Sequence, residues 1–149
     1  MSQKSVLMLV EDNPDDEELT LLAFEQNNIS NEVVVAHDGV EALDYLFGTG
    51  LYTERDMSVM PALILLDLQL PRINGLEVLR RLRADNRTKL IPVVILTTST
   101  EQQDLINSYN LGCNSYIRKP VDYDQFLTAV HQLGMYWLIL NEPPPVPVN

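Results

Sequence analysis

Five short apolar runs, each followed by a helix-start signal, constrain this chain more than any other feature of its sequence. The runs are residues 6–10, 32–36, 62–67, 91–97 and 115–117. They are too short for typical helices, and the third, Ala62-Leu63-Ile64-Leu65-Leu66, is apolar without a break. Short continuous apolar runs closed by turn signals fit strands covered on both faces. Between them lie helix signals. Asn13 can cap a helix over 14–26, Pro14 takes its first position, and Asp15 and Asp16 suit the positive end of its dipole. Asp38-Gly39-Val40-Glu41 starts a helix ending near Gly48, and Asn74-Gly75-Leu76-Glu77 starts another reaching about residue 84. A shorter helix runs from 100 to about 110, stopped by Gly112. The last helix spans 122 to about 140, with Asp122 as cap, Gln125 reciprocating and Val121 stapled against Phe126. Pro92 stands at a strand start, where a missing donor is tolerated, and residues 49–60 read as a polar surface connection. With 149 residues and no internal repeat, the chain is most simply one domain. Strict alternation predicts an α/β fold, a five-stranded parallel sheet with helices on both faces. Right-handed crossovers then gather every strand C-terminus at one edge.

That edge collects Glu11 and Asp12, Asp67, Thr97 and Thr98, and Arg118, Lys119 and Pro120. Three converging carboxylates repel one another, so they hold a proton or bind a cation. All three are hard oxygen donors of the kind Mg²⁺ takes alongside water and phosphate oxygens. Lys119 adds a compact positive charge and Thr97 a hydroxyl. Together these groups suit a phosphoryl group carried on Asp67 itself. Taken singly each is weak evidence: Thr97 alone is an ordinary strand-end hydroxyl. The six acids between Glu11 and Glu18 are most simply a solvated helix start, with cation binding as the alternative.

The net charge of −11 argues against nucleic acid and against an anionic membrane surface as partners. A single cysteine, Cys113, excludes an intrachain disulfide, suits a reducing cytoplasm and reads as structural. No stretch approaches a membrane span, and the apolar run near the start is too short for a signal peptide.

The segments Leu9-Val10-Glu11-Asp12-Asn13-Pro14, Asp38-Gly39-Val40-Glu41-Ala42, Leu65-Leu66-Asp67-Leu68-Gln69-Leu70-Pro71 with Asn74-Gly75, Val94-Ile95-Leu96-Thr97 and Tyr116-Ile117-Arg118-Lys119-Pro120 resemble the receiver domain of two-component response regulators. The resemblance covers nearly the whole chain. It implies a flavodoxin-like, doubly wound sheet of order 2-1-3-4-5, and Asp67 as acceptor of phosphate from a histidine kinase. It implies that Glu11, Asp12, Asp67 and the backbone carbonyl of Gln69 hold Mg²⁺. Thr97 and Lys119 would bind the phosphoryl oxygens, and Lys119-Pro120 would be a cis bond. Thr97 and Tyr116 would form a switch coupling the site to the face of the fourth helix, fifth strand and last helix. The alternative for Tyr116 is a strand residue with its hydroxyl at the surface. Two departures stand out. Thr98 replaces a small apolar residue, and Gln69 and Ser99, which flank the attacking water in the family, are weak bases.

From Met135 to Leu140 every residue is apolar or aromatic, more than an amphipathic helix can bury on a small sheet. Either a homodimer uses this end through Tyr136 and Trp137, or the proline tract of 141–149 or the 49–60 loop covers it. The tract cannot form a core, so residues 1–140 are expected to be the receiver, with no output domain. The Glu11-to-Pro14 start, the 49–60 insertion and the aromatic extension resemble regulators paired with cyanobacterial phytochromes. That closer match implies a red-light phosphorelay and a dimer. Two rivals fit less well. An aspartate-nucleophile phosphohydrolase needs an acid where Gln69 stands, and a flavin domain needs a Gly-, Ser- or Thr-rich loop where Glu11 to Pro14 stand. A third, a regulator that acts only by binding, is opposed by the intact acid set and Lys119.

Overall fold

Each apolar run hides an alternation that the sheet resolves into two cores. The computed structural model describes residues 5–119, 122–140, 142, 144 and 145. Strands β1 (Leu7–Val10), β2 (Val33–Ala36), β3 (Leu63–Leu66), β4 (Val93–Thr97) and β5 (Ser115–Arg118) form one parallel sheet of order β2-β1-β3-β4-β5. Met8, Val10, Ile64, Leu66, Val93 and Ile95 face helices α2 (Gly39–Phe47) and α3 (Gly75–Ala84), where Ala42, Leu46, Val78, Leu79 and Leu82 meet them. Leu7, Leu9, Leu63, Leu65, Val94 and Leu96 face α1 (Pro14–Gln26) and α5 (Tyr123–Leu133), through Ala23, Phe24, Phe126 and Val130. Because successive strand side chains point to opposite faces, a central strand with cover on both sides is apolar throughout. The outer strands β2 and β5 are only partly buried, so their apolar runs are interrupted or short.

The helix starts follow the cap chemistry. The Asn13 side chain accepts hydrogen bonds from the Asp15 and Asp16 N–H groups, and Asp38 and Asn74 accept from Glu41 and Glu77. Asp122 accepts from Gln125. Gly48 ends α2 in the left-handed conformation, φ 66°. Gly75 is required by close approach: a Cβ there would collide with the Asp67 carbonyl, so α3 can begin directly beneath the end of β3 only with glycine.

The 49–60 connection lies at the surface as expected and is anchored there: Arg55 donates to the carbonyls of Tyr45, Asp56 and Val59 and lies 4.2 Å from the centre of the Tyr45 ring. Two features depart from expectation. Helix α4 (Gln102–Asn110) starts two residues late. The last helix is α-helical only to Leu133 and continues as a π-helix over Gly134–Leu140. Over this stretch Trp137 and Leu138 are partly buried against the core that holds Phe126 and Val130. Met135 and Tyr136 remain exposed. The Lys119–Pro120 bond and Val121 lie outside the described residues.

Candidate functional site

The ladder of the sheet extends one residue past the strand ends and so fixes the site. The Glu11 N–H donates to the Ala36 carbonyl, the Asp67 N–H to Val10, and the Lys119 N–H to Thr97. Residues distant in sequence thereby leave the same edge together. Glu11, Asp67, Thr97 and Lys119 are all buried, whereas Asp12 is exposed. One carboxylate oxygen each from Glu11, Asp12 and Asp67 lies within 4.8 Å of the others. Three hard oxygen donors at that spacing, one of them open to water, fit a divalent cation that keeps part of its hydration shell.

Lys119 is the cation of the site. Its Nζ lies 2.6 Å from Glu11 Oε1, 2.9 Å from Asp16 Oδ2 and 3.5 Å from Asp67 Oδ2. Asp67 is held at its other oxygen, where Oδ1 accepts the Gln69 N–H at 3.0 Å. Burial pushes Glu11 up to about 7 against the opposing pull of Lys119, with nearby Asp67 raising it further. Burial alone would lower Lys119, but its bonds to Glu11 and Asp16 and the charge of Asp67 outweigh that and hold it above its ordinary value. The raised Glu11 has a definite sign for stability. The folded site binds a proton that the unfolded chain releases near 4.5, so this contribution is present below that pH and lost as pH rises through about 7.

Thr97 and Tyr116 are placed differently from the charged groups. The Thr97 hydroxyl accepts the Ser99 N–H at 3.3 Å; among the described contacts it is not bonded to the side chains of Asp67 or Lys119. Ser99 Oγ donates to Asp104 Oδ2 at 2.6 Å, which ties the end of β4 to α4. The Tyr116 hydroxyl does not reach the surface. Its oxygen is buried and makes no hydrogen bond of good geometry; burial raises its pKa, while the Ser99 hydroxyl close beside it pulls the other way. Gln69 Oε1 accepts a bond from Thr98 Oγ1 at 2.6 Å, so the side chains of Gln69 and Ser99 are both engaged.

Asp16 is the member that sequence reasoning missed. It reads as a helix-dipole acid in a solvated cluster, yet it is the second-nearest acid to Lys119. The signal available was its place on the first turn of α1, directly after the β1 end that carries Glu11.

A model of the response regulator receiver domain matches residues 7–131. The response regulator Rcp1 of Synechocystis sp. (strain ATCC 27184 / PCC 6803 / Kazusa) is 37% identical over 133 residues, covering 89% of this chain and 88% of its own. A crystal structure of the Mn²⁺-bound form of a response regulator Rcp1 superposes with a TM-score of 0.85 at 35% identity, over 95% of this chain and 99% of that one. The phosphorylated cyanobacterial phytochrome response regulator RcpA gives 0.86 at 38% identity, with the same coverage. The bacteriophytochrome response regulator AtBRR gives 0.76 at 51% identity, over 95% of this chain and all of that one. With the family match running through both cores and every strand end of the site, the chain belongs to the response regulator receiver domains, and its near relatives include phytochrome response regulators.

Proposed function

We propose that this receiver stores a signal as a phosphoryl group on Asp67, taken from a histidine kinase in a Mg²⁺-dependent reaction. The carrying observation is the pair of contacts on the Asp67 carboxylate: Oδ1 is fixed by the Gln69 N–H while Oδ2 faces Lys119 at 3.5 Å, beside Glu11 and Asp12. One Asp67 oxygen forms a P–O bond in line as the P–N bond to the donor imidazole breaks, and the electron pair leaves with the nitrogen. Glu11, Asp12, Asp67 and the Gln69 carbonyl are the proposed Mg²⁺ ligands; the ion would offset charge on the transferring oxygens. Lys119 and Thr97 receive those oxygens, and Thr97 gives up its bond from Ser99 to do so. Gln69 and Ser99, both engaged and neither a strong base, leave hydrolysis slow. Under this reading Thr97 and Tyr116 shift together and change the face of α4, β5 and α5, a population shift driven by contacts that only the phosphorylated state makes. The kinship with phytochrome response regulators supports a phytochrome kinase as the donor. Residues 1–140 are the proposed signalling unit. Among the described residues no helix is long and apolar enough to cross a membrane, and the charge of −11 disfavours nucleic acid.

Incubation with Mg²⁺ and acetyl phosphate is expected to add the mass of one phosphoryl group, and Asp67→Asn to abolish the gain. No gain in the wild-type protein would favour a regulator acting by binding alone.

Because Glu11 must lose its proton to ligate a metal, apparent Mg²⁺ affinity is expected to rise from about pH 6 to about pH 8, with proton release at the lower pH. Calorimetry in buffers of different ionisation enthalpy reads both; a flat profile without proton release would contradict it.

We also propose a homodimer through the α4-β5-α5 face and the last helix. The split at that end separates contact from fold: Tyr136 is 51% exposed, whereas Trp137 packs on the core. Tyr136→Ala, which also loses an edge-to-face contact with the Trp137 ring, is expected to shift the protein toward monomer in size-exclusion at a stability cost of about 1 kcal/mol or less, while Trp137→Ala lowers stability by about 2 kcal/mol or more.

A further inference from the structure

We propose that Asp16 is a positioning residue that holds the Lys119 ammonium off Asp67 and fixes its orientation toward the phosphoryl site. The inference rests on the reading of Asp67 as acceptor.

Lys119 has three N–H donors, and three carboxylates compete for them. Asp16 Oδ2, at 2.9 Å, holds the ammonium more closely than Asp67 Oδ2, at 3.5 Å. A charged pair at hydrogen-bond length fixes direction, and one at 3.5 Å does so weakly. Asp16 therefore draws the ammonium toward α1. Its own position is set locally: its N–H donates to the Asn13 side chain, and its carbonyl accepts the Thr20 hydroxyl at 2.8 Å. The neighbouring Asp15 is capped by the same asparagine but is exposed and makes no contact with Lys119.

Asp16 is also outside the carboxylate group that could hold a metal, which comprises Glu11, Asp12 and Asp67. A cation arriving there engages two of the three carboxylates around Lys119 and leaves Asp16 to it. Asp16 is thus the partner that keeps Lys119 at the site in both conditions. Without it, the ammonium settles on Asp67 and Glu11. A tight Lys119–Asp67 pair ties up the lone pair that must attack phosphorus, and it opposes the entering cation.

Two measurements separate this role from a structural one. Phosphorylation by acetyl phosphate at saturating Mg²⁺, followed by intact mass, is expected to slow about tenfold in Asp16→Asn, the order expected for a charged hydrogen bond. Mg²⁺ affinity by calorimetry, with no phosphoryl donor present, is expected to weaken several-fold in the same variant. Asp15→Asn removes the same charge from the same turn and is expected to leave both near wild-type, although both variants lose similar helix-dipole stabilisation on heating. Asp16→Glu keeps the charge and is expected to recover part of the rate and of the affinity. Rates and affinities that do not distinguish Asp16→Asn from Asp15→Asn overturn the proposal, as does an Asp16→Glu variant no better than Asp16→Asn. A wild-type protein that gains no phosphoryl group overturns the acceptor reading itself; a wild-type gain unchanged in Asp16→Asn overturns only the role of Asp16.

Discussion

Lys119 and the acids around it are the interaction on which the rest of the site depends. Glu11 and Asp67 leave adjacent central strands at the sheet edge, and both are buried. Two carboxylates taken out of water at such a distance repel each other and lose hydration, a penalty of several kcal/mol per ion unless a counter-charge is present. Among the described residues Lys119 is the cation within ion-pair distance of them. It comes from β5, at the far edge of the sheet, and reaches them past β4. The parallel topology makes this convergence possible, since all five strands end at the same edge. Glu11 shows the cost of that burial, which pushes it up to about 7 even beside a lysine at 2.6 Å.

The uncharged part of the edge connects this centre to a helix. Thr97, Ser99 and Asp104 form a chain of hydrogen bonds from the end of β4 to the first turn of α4. The Tyr116 hydroxyl is buried next to that chain, near Ser99 but without a hydrogen bond of good geometry. A buried hydroxyl held this loosely gains if its surroundings shift. Under the proposed function, drawing the Thr97 hydroxyl toward a phosphoryl oxygen releases Ser99 and alters what Tyr116 faces. The coupling then needs no long path, only a loop whose two arrangements satisfy different groups.

Much of this was legible in the sequence because it is local or periodic. Caps such as Asn13, Asp38 and Asn74 act within three residues, so their signals survive without knowledge of the fold. The central apolar runs were readable because they are short, unbroken and closed by turn or cap signals, as strands covered on both faces are. Glu11, Asp67 and Lys119 could be placed together because topology alone brings strand ends to one edge. What was not legible depends on contacts across the fold. Asp16 looks like any first-turn acid until Lys119 arrives from more than a hundred residues away. The Arg55 anchor depends on carbonyls and on the Tyr45 ring, which carry no signal in sequence. The π-helical end over Gly134–Leu140, where Gly134 lies close against Ile29, is a change of pitch that helix propensity does not foresee.

The account's central claim is that Lys119 offsets buried negative charge which a divalent cation can also offset. Denaturant unfolding of Lys119→Met with and without Mg²⁺ tests it most directly. Without the ion, the variant is expected to be less stable than wild type by about 3 kcal/mol, the scale for a buried pair that loses one partner. The deficit should grow as pH rises through about 7, where Glu11 gives up its proton. Saturating Mg²⁺ should restore most of it. A variant as stable as wild type without metal at every pH, or one whose deficit Mg²⁺ leaves untouched, would contradict the account.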